Sequence, residues 1–198
     1  MKTVTKQWLD FLNPDVVRTK FVAIGLYMVG HEMLLDALRD RPRDFFATDW
    51  TPDGVSLPSS DYETEVLALD PKGKANALRG AVAWLLDLEA IDDADVSSLR
   101  EFTDARNTIA HELHKVVGGH ATLELAGLFP RLVALLTKVE RWWVINVELA
   151  TNPDFDGVEI DEEGVVPGSV VVMQMLCRVA LGAEEEAWTF HRIMSGEQ

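Results

Sequence analysis

The residues best equipped for chemistry lie in the stretch FTDARNTIAHELHKVV, Phe102 to Val117. Arg106 carries a planar fork of donors that stays charged at any working pH and grips phosphate oxygens. His111 is the side-chain type best matched to proton transfer near neutrality. Asn107 adds a polar group beside the arginine. The stretch has helical period, so the three are held at fixed offsets on one rigid element. An arginine, a polar neighbour and a histidine arranged in this way could act together on a phosphodiester.

Helix geometry sets how they meet. Successive residues rotate by about 100°, which places Asn107 about 100°, His111 about 140° and His114 about 80° from Arg106. Leu99, Phe102, Arg106, Ile109, Leu113 and Val116 alternate steps of three and four, a packing seam with Arg106 in its middle. A charge there is costly unless paired, and Asp87, Glu89 and Asp104 are the acids considered as partners. Asn107, His111 and His114 form a polar stripe beside the seam, with Asn107 and His111 neighbours at i,i+4. Arg106 and His111 do not share a face. A two-fold dimer packed through this helix would bring two arginines and two histidines to one cleft.

The pattern R-N-x-x-x-H, in an acidic and helical chain, resembles the HEPN family, helical-bundle proteins that include metal-independent ribonucleases of toxin and antiphage systems. The resemblance is specific over about fifteen residues and architectural elsewhere. It implies an all-α fold, a composite site at a homodimer interface, and Arg106 and His111 as the catalytic pair with Asn107 at the polar position between them. It further implies RNA as substrate, no cofactor and no metal, and an inhibitory protein partner; His114 and Lys115, on the same helix, are expected to contact the RNA. The rival expectation is a non-catalytic interaction module that keeps the fold. An open cleft holding Arg106 and His111 is expected of the enzyme; Arg106 buried in a carboxylate pair is expected of the module.

The chain has 198 residues, 47% of them hydrophobic, enough for one domain with a sizeable core. Its net charge is −15: about −1 over residues 1–58, −6 over 59–121 and −8 over 122–198. A general nucleic-acid binder is basic, because phosphate neutralisation dominates its affinity. The balance therefore excludes a broad RNA-binding surface and leaves room for a small cationic site. One cysteine, Cys177, precludes an internal disulfide. An unbroken apolar run and a signal-peptide core are both missing from the reading, so a cytoplasmic protein without a membrane span is expected.

The elements that must position the motif read as an up-down bundle of four to five long helices, with an acidic loop before the C-terminal helices. Residues 1–150 are expected to form the bundle core, and 151–198 an acidic linker plus helices packing on the same domain. Asn13-Pro14 starts a first helix with Val17, Phe21, Ile24, Met28, Leu35 and Leu38 inward, ended by Pro42. Residues 42–60 read as a long loop. A helical region from Tyr62 to Ala90 is broken at Asp70-Pro71, and the motif helix runs from Asp93 or Asp95 to Gly118-Gly119. A fourth helix spans Thr122 to Ala150, with Pro130 as a kink or its true first turn. Val158-Glu159-Ile160 reads as a short strand, Pro167 to Leu181 as a helix, and Ala183 onward as a last one with Glu184, Glu185 and Glu186 at its N-terminus.

Other groups are weaker. His111-Glu112-Leu113-His114 is HExH, lacking the i,i+4 histidines of a zinc helix; a metal shared with His120 is the remote alternative to surface histidines. Arg39, Arg41 and Arg43 either stabilise the end of the first helix or form a phosphate-contacting rim. Trp142-Trp143 reads as one core and one interface residue, and Cys177 as a buried thiol. The acidic 152–164 segment is a solvated loop or a dock for a basic partner.

Overall fold

The computed structural model describes residues 8–120, 123–183 and 187–195. The fold is all-α, with one small hairpin. Its helices are α1 (Pro14–Leu35), α2 (Arg41–Phe45), α3 (Ser60–Glu65), α4 (Ala77–Asp87), α5 (Asp93–Val117), α6 (Leu125–Trp143), α7 (Gly168–Leu181) and α8 (Thr189–Ser195). The antiparallel strands β1 (Ala47–Trp50) and β2 (Ser56–Pro58) join α2 to α3. Thr122 and Glu184, Glu185 and Glu186, which figured in the helix boundaries expected above, lie outside the described residues.

Helix α1 is the hub. Its buried side, Ile24, Tyr27, His31, Leu34 and Leu38, alternates steps of three and four. Of the expected inward set, Ile24 and Leu38 are buried and Val17 and Met28 pack on the core, but Phe21 is exposed, and Tyr27 and His31 join the seam. Helices α5, α6 and α7 all pack on α1. Gly30 permits the closest of these approaches, since a Cβ there would meet Leu132 and Phe129 of α6 and Met173 of α7. The core is completed by Phe102 and Ile109 from α5 and Leu132, Leu136 and Val139 from α6.

Pro42 does not stop the first helix. The chain widens to a π turn over Asp36–Asp40, where the Arg41 amide donates to the Asp36 carbonyl, and resumes as α2. Pro42 has no amide to give to the preceding turn, and the π turn resets the register around it. The expected loop at 42–60 is thus a helical turn and a hairpin. Asn13 caps α1 by accepting from the Asp15 amide. Pro130 lies inside α6, which begins before it and continues as a second π turn, Val144–Leu149. Residues 158–160 are irregular, not a strand; Pro153–Phe155 forms a single 3-10 turn just before them.

The break at Asp70-Pro71 has a specific cause. The Asp70 carboxylate is buried and accepts from the Lys72, Lys74 and Asn76 amides and from the Arg79 guanidinium at 2.7 and 2.8 Å. One side chain therefore folds the loop and anchors the start of α4, while Asn76 caps that helix. Gly80 lets the turn at Val66 and Leu67 cross α4 where any Cβ would strike the Val66 carbonyl.

Candidate functional site

The motif helix α5 is held at three levels. At its start Asp92 and Asp95 form a reciprocal capping box, and Lys138 of α6 donates to both carboxylates. In the middle, the buried Tyr27 hydroxyl donates to the Phe102 carbonyl at 2.9 Å. At its end the Lys20 ammonium donates to the Val117 carbonyl at 2.8 Å. Burial raises the Tyr27 hydroxyl to a pKa of about 12, so it remains a donor.

Arg106 lies at the edge of the seam. The buried residues of α5 are Leu99, Phe102, Ala105, Ile109, Val116 and Val117; Ala105 takes the inward position expected for Arg106. The Arg106 side chain keeps 36% exposure and meets the half-exposed Glu32 of α1 at 3.6 Å. None of the three acids proposed from sequence is its partner. Helical side chains lean toward their own N-terminus, which carries the guanidinium over the preceding turn and across to α1. At 3.6 Å the contact is an ion pair without a tight hydrogen bond, weakly held and open to exchange.

Beside it lies a residue that sequence reasoning did not single out. His31 is 2% exposed, and neither ring nitrogen has a hydrogen-bond partner. Its Nδ1 is 3.9 Å from Glu32. Burial holds its pKa below the ordinary histidine value; Glu32 opposes that shift and the Arg106 charge adds to it. Its place in the alternation Ile24, Tyr27, His31, Leu34 was a usable signal, equivalent to the one applied to Arg106.

Asn107 and His111 are exposed on the outer side of α5, as are His114 and Lys115. Arg106 and His111 both precede Glu112, whose backbone leaves the helical region at φ −127° and ψ 25°. The offset of about 140° between them therefore stands. The offset expected for His114 does not, because the kink intervenes. Lys115 makes an exposed i,i+3 ion pair with Glu112 at 3.1 Å, weakly held and open to exchange. The monomer thus brings Arg106 to Glu32 and His31, and it does not bring Arg106 to His111. The cavities between α1 and α6, α4 and α5, α4 and α6, and at the hairpin have neither residue in their walls.

The remaining candidates are committed elsewhere. Arg39 pairs with Asp40 and Asp36, Arg41 with the buried Glu140 at 2.6 Å and with Glu148 at 2.7 Å, and Arg43 donates to the Ser56 carbonyl. These contacts fasten the π turns and the hairpin rather than the end of a helix at Arg41. Trp143 is core and Trp142 half-buried; Trp142 meets both Trp143 and Trp84 edge-on, while Trp143 lies tilted against Trp84. Cys177 is half-buried, and burial pushes its thiol pKa up. Among the described residues no three His, Cys, Asp or Glu side chains converge as a metal set.

One helical segment, Pro14–Phe45, is long and apolar enough by composition to cross a membrane, with a mean hydropathy of 1.4 over its most apolar window. No apolar run of about 18 residues was expected from the sequence, and this segment corrects that. In the fold this segment is the core helix against which α5, α6 and α7 pack. Comparisons with protein-family models, with curated proteins and with solved structures gave no match.

Proposed function

We propose that this chain is a HEPN-type, metal-independent endoribonuclease acting in the cytoplasm in a toxin or antiphage role. One observation carries the reading: Arg106 stands at the surface, loosely paired with Glu32 at 3.6 Å, with Asn107 and His111 exposed on the same helix before its kink. A substrate phosphate competes for the guanidinium and displaces Glu32. Arg106 then stabilises the charge that develops on the phosphate. The ribose 2′-oxygen forms a bond to phosphorus as the bond to the 5′-oxygen breaks. His111 takes the 2′-hydroxyl proton while water protonates the leaving 5′-oxygen, or protonates that oxygen while water accepts the 2′-hydroxyl proton, and Asn107 orients it. His114 and Lys115 contact the flanking RNA. The products are a 2′,3′-cyclic phosphate and a 5′-hydroxyl.

Because the two residues face apart in one chain, the active form is a homodimer through α5, with Arg106 of one copy beside His111 of the other. Incubation of the purified protein with total RNA, with and without EDTA, beside an His111→Ala control tests the activity. Cleavage that persists in the control, or that needs added divalent metal, overturns the mechanism.

A second reading has its own support. The net charge of −15 and the separation of Arg106 from His111 fit a non-catalytic module that binds a protein partner. Retention of full partner binding with no RNA cleavage favours it.

A further inference from the structure

Helices α4 and α5 splay apart, and an apolar groove opens between them. Leu78, Val82 and Leu86 of α4 face Val96, Leu99 and Thr103 of α5 around a cavity of about 460 Å³. That volume is in the range of about 300–1,000 Å³ typical of small-ligand sites. The α4 stripe repeats every four residues, so the apolar wall is roughly 12 Å long. All of its α4 residues are half-buried, leaving apolar surface for a ligand to cover.

The groove also has charged residues in its wall. Arg79, Arg100 and Asp104 line it, with Pro71 beside them. Residues 71–86 carry Lys72, Lys74 and Arg79 and no acid. Arg79 is neutralised by Asp70, and the Lys72 and Lys74 amides bind that same carboxylate, which fixes both lysines in the loop beside Pro71. Among the described residues no ion pair engages Lys72, Lys74 or Arg100, and Asp104 is the one acid in the groove wall. In a chain of charge −15 this is a local surplus of positive charge beside an apolar floor.

We propose that the α4–α5 groove binds a soluble amphipathic carboxylate, its apolar body along Leu78, Val82 and Leu86 and its head at Arg100. The inference does not depend on the ribonuclease reading. Arg100 is exposed and one turn from Asp104, so it reaches over the groove mouth without cost to the core. The guanidinium offers the bidentate geometry a carboxylate accepts.

Calorimetric titration of the full chain with decanoate, below its micelle concentration, tests this. Saturable binding is expected. Arg100→Glu weakens it by about tenfold or more, the scale of one lost charge-assisted contact. Ala83→Leu, which fills the groove, abolishes it. Circular-dichroism melting confirms that both variants are folded. Absence of decanoate binding to the unmodified protein overturns the proposal, as does equal binding of decyltrimethylammonium. Binding that is unaltered in both variants places the ligand elsewhere and also overturns it. Arg100-dependent binding of anionic phospholipid vesicles without binding of free decanoate would assign the patch to a bilayer surface and refute the soluble ligand.

Discussion

His31 offers a prediction that the structure fixes in sign and bounds in size. Its ring is 2% exposed, both nitrogens lack partners, and burial lowers its pKa. In the unfolded chain histidine takes up its proton as pH falls through about 6.5. The folded protein resists that proton to a lower pH. Between those two values the unfolded state binds more protons, so stability falls as pH falls; above about 6.5 the contribution is constant. One group changes stability by at most about 1.4 kcal/mol per pH unit. From pH 6.5 to 5.5 that amounts to roughly 3–6 °C of melting temperature for a domain of this size. His31→Leu removes the titration and the two orphaned nitrogens, whose burial costs about 1–3 kcal/mol each. The variant should match or exceed the wild type at pH 7.5, and the gap should widen toward pH 5.5. Every other titrating group is common to both proteins and cancels in the difference. Parallel thermal melts from pH 7.5 to 5.5 measure it. A constant gap, or a gap that closes on acidification, refutes the assignment of His31 as a buried neutral base.

Arg41→Gln leaves the buried Glu140 short of its cation and should cost about 1–3 kcal/mol, read by urea denaturation at pH 7. Asp70→Asn should melt below the wild type at pH 7, since four donors hold the native carboxylate well below the usual carboxylate range. That contribution is complete above about pH 5 and fades below it as the unfolded aspartate protonates, so the gap should narrow at pH 3. Arg106→Ala should be nearly neutral for folding, because an exposed pair at 3.6 Å is worth about 0–1 kcal/mol, or a few degrees at most. Light scattering at micromolar concentration should give a dimer mass, and a clean monomer mass would count against the shared cleft.

The fold was legible where helix signals agree. Asn13-Pro14 and the steps through Leu99, Phe102 and Ile109 place α1 and α5; the start of α5 reads from sequence as Asp93 or Asp95, and its cap is Asp92. Pro42 misled because proline's effect depends on the turn before it, and a π turn absorbs it at no visible cost in length. The hairpin at 47–58 is too short for a period-2 signal. The site was half legible. Arg106 reads as a seam residue only if Ala105 is ignored; one small residue beside it takes the buried position and turns the arginine outward. Glu32 and His31 lie about seventy-five positions away in sequence, and nothing local to Arg106 announces them. Packing on α1, a tertiary fact, selects them.

The proposed cleavage of RNA by Arg106 and His111 is tested most directly by single-turnover cleavage of a defined RNA in EDTA. Arg106→Ala and His111→Ala should each lower the rate by about a hundred- to ten-thousand-fold while melting within a few degrees of the wild type. Mixing the two inactive variants should restore part of the activity, because a shared dimer cleft recovers one intact Arg–His pair. The products should end in a 2′,3′-cyclic phosphate, and a 2′-deoxy nucleotide at the cleavage site should block the reaction. Undiminished cleavage by either variant, equal cleavage of DNA, or strict dependence on magnesium would contradict the account.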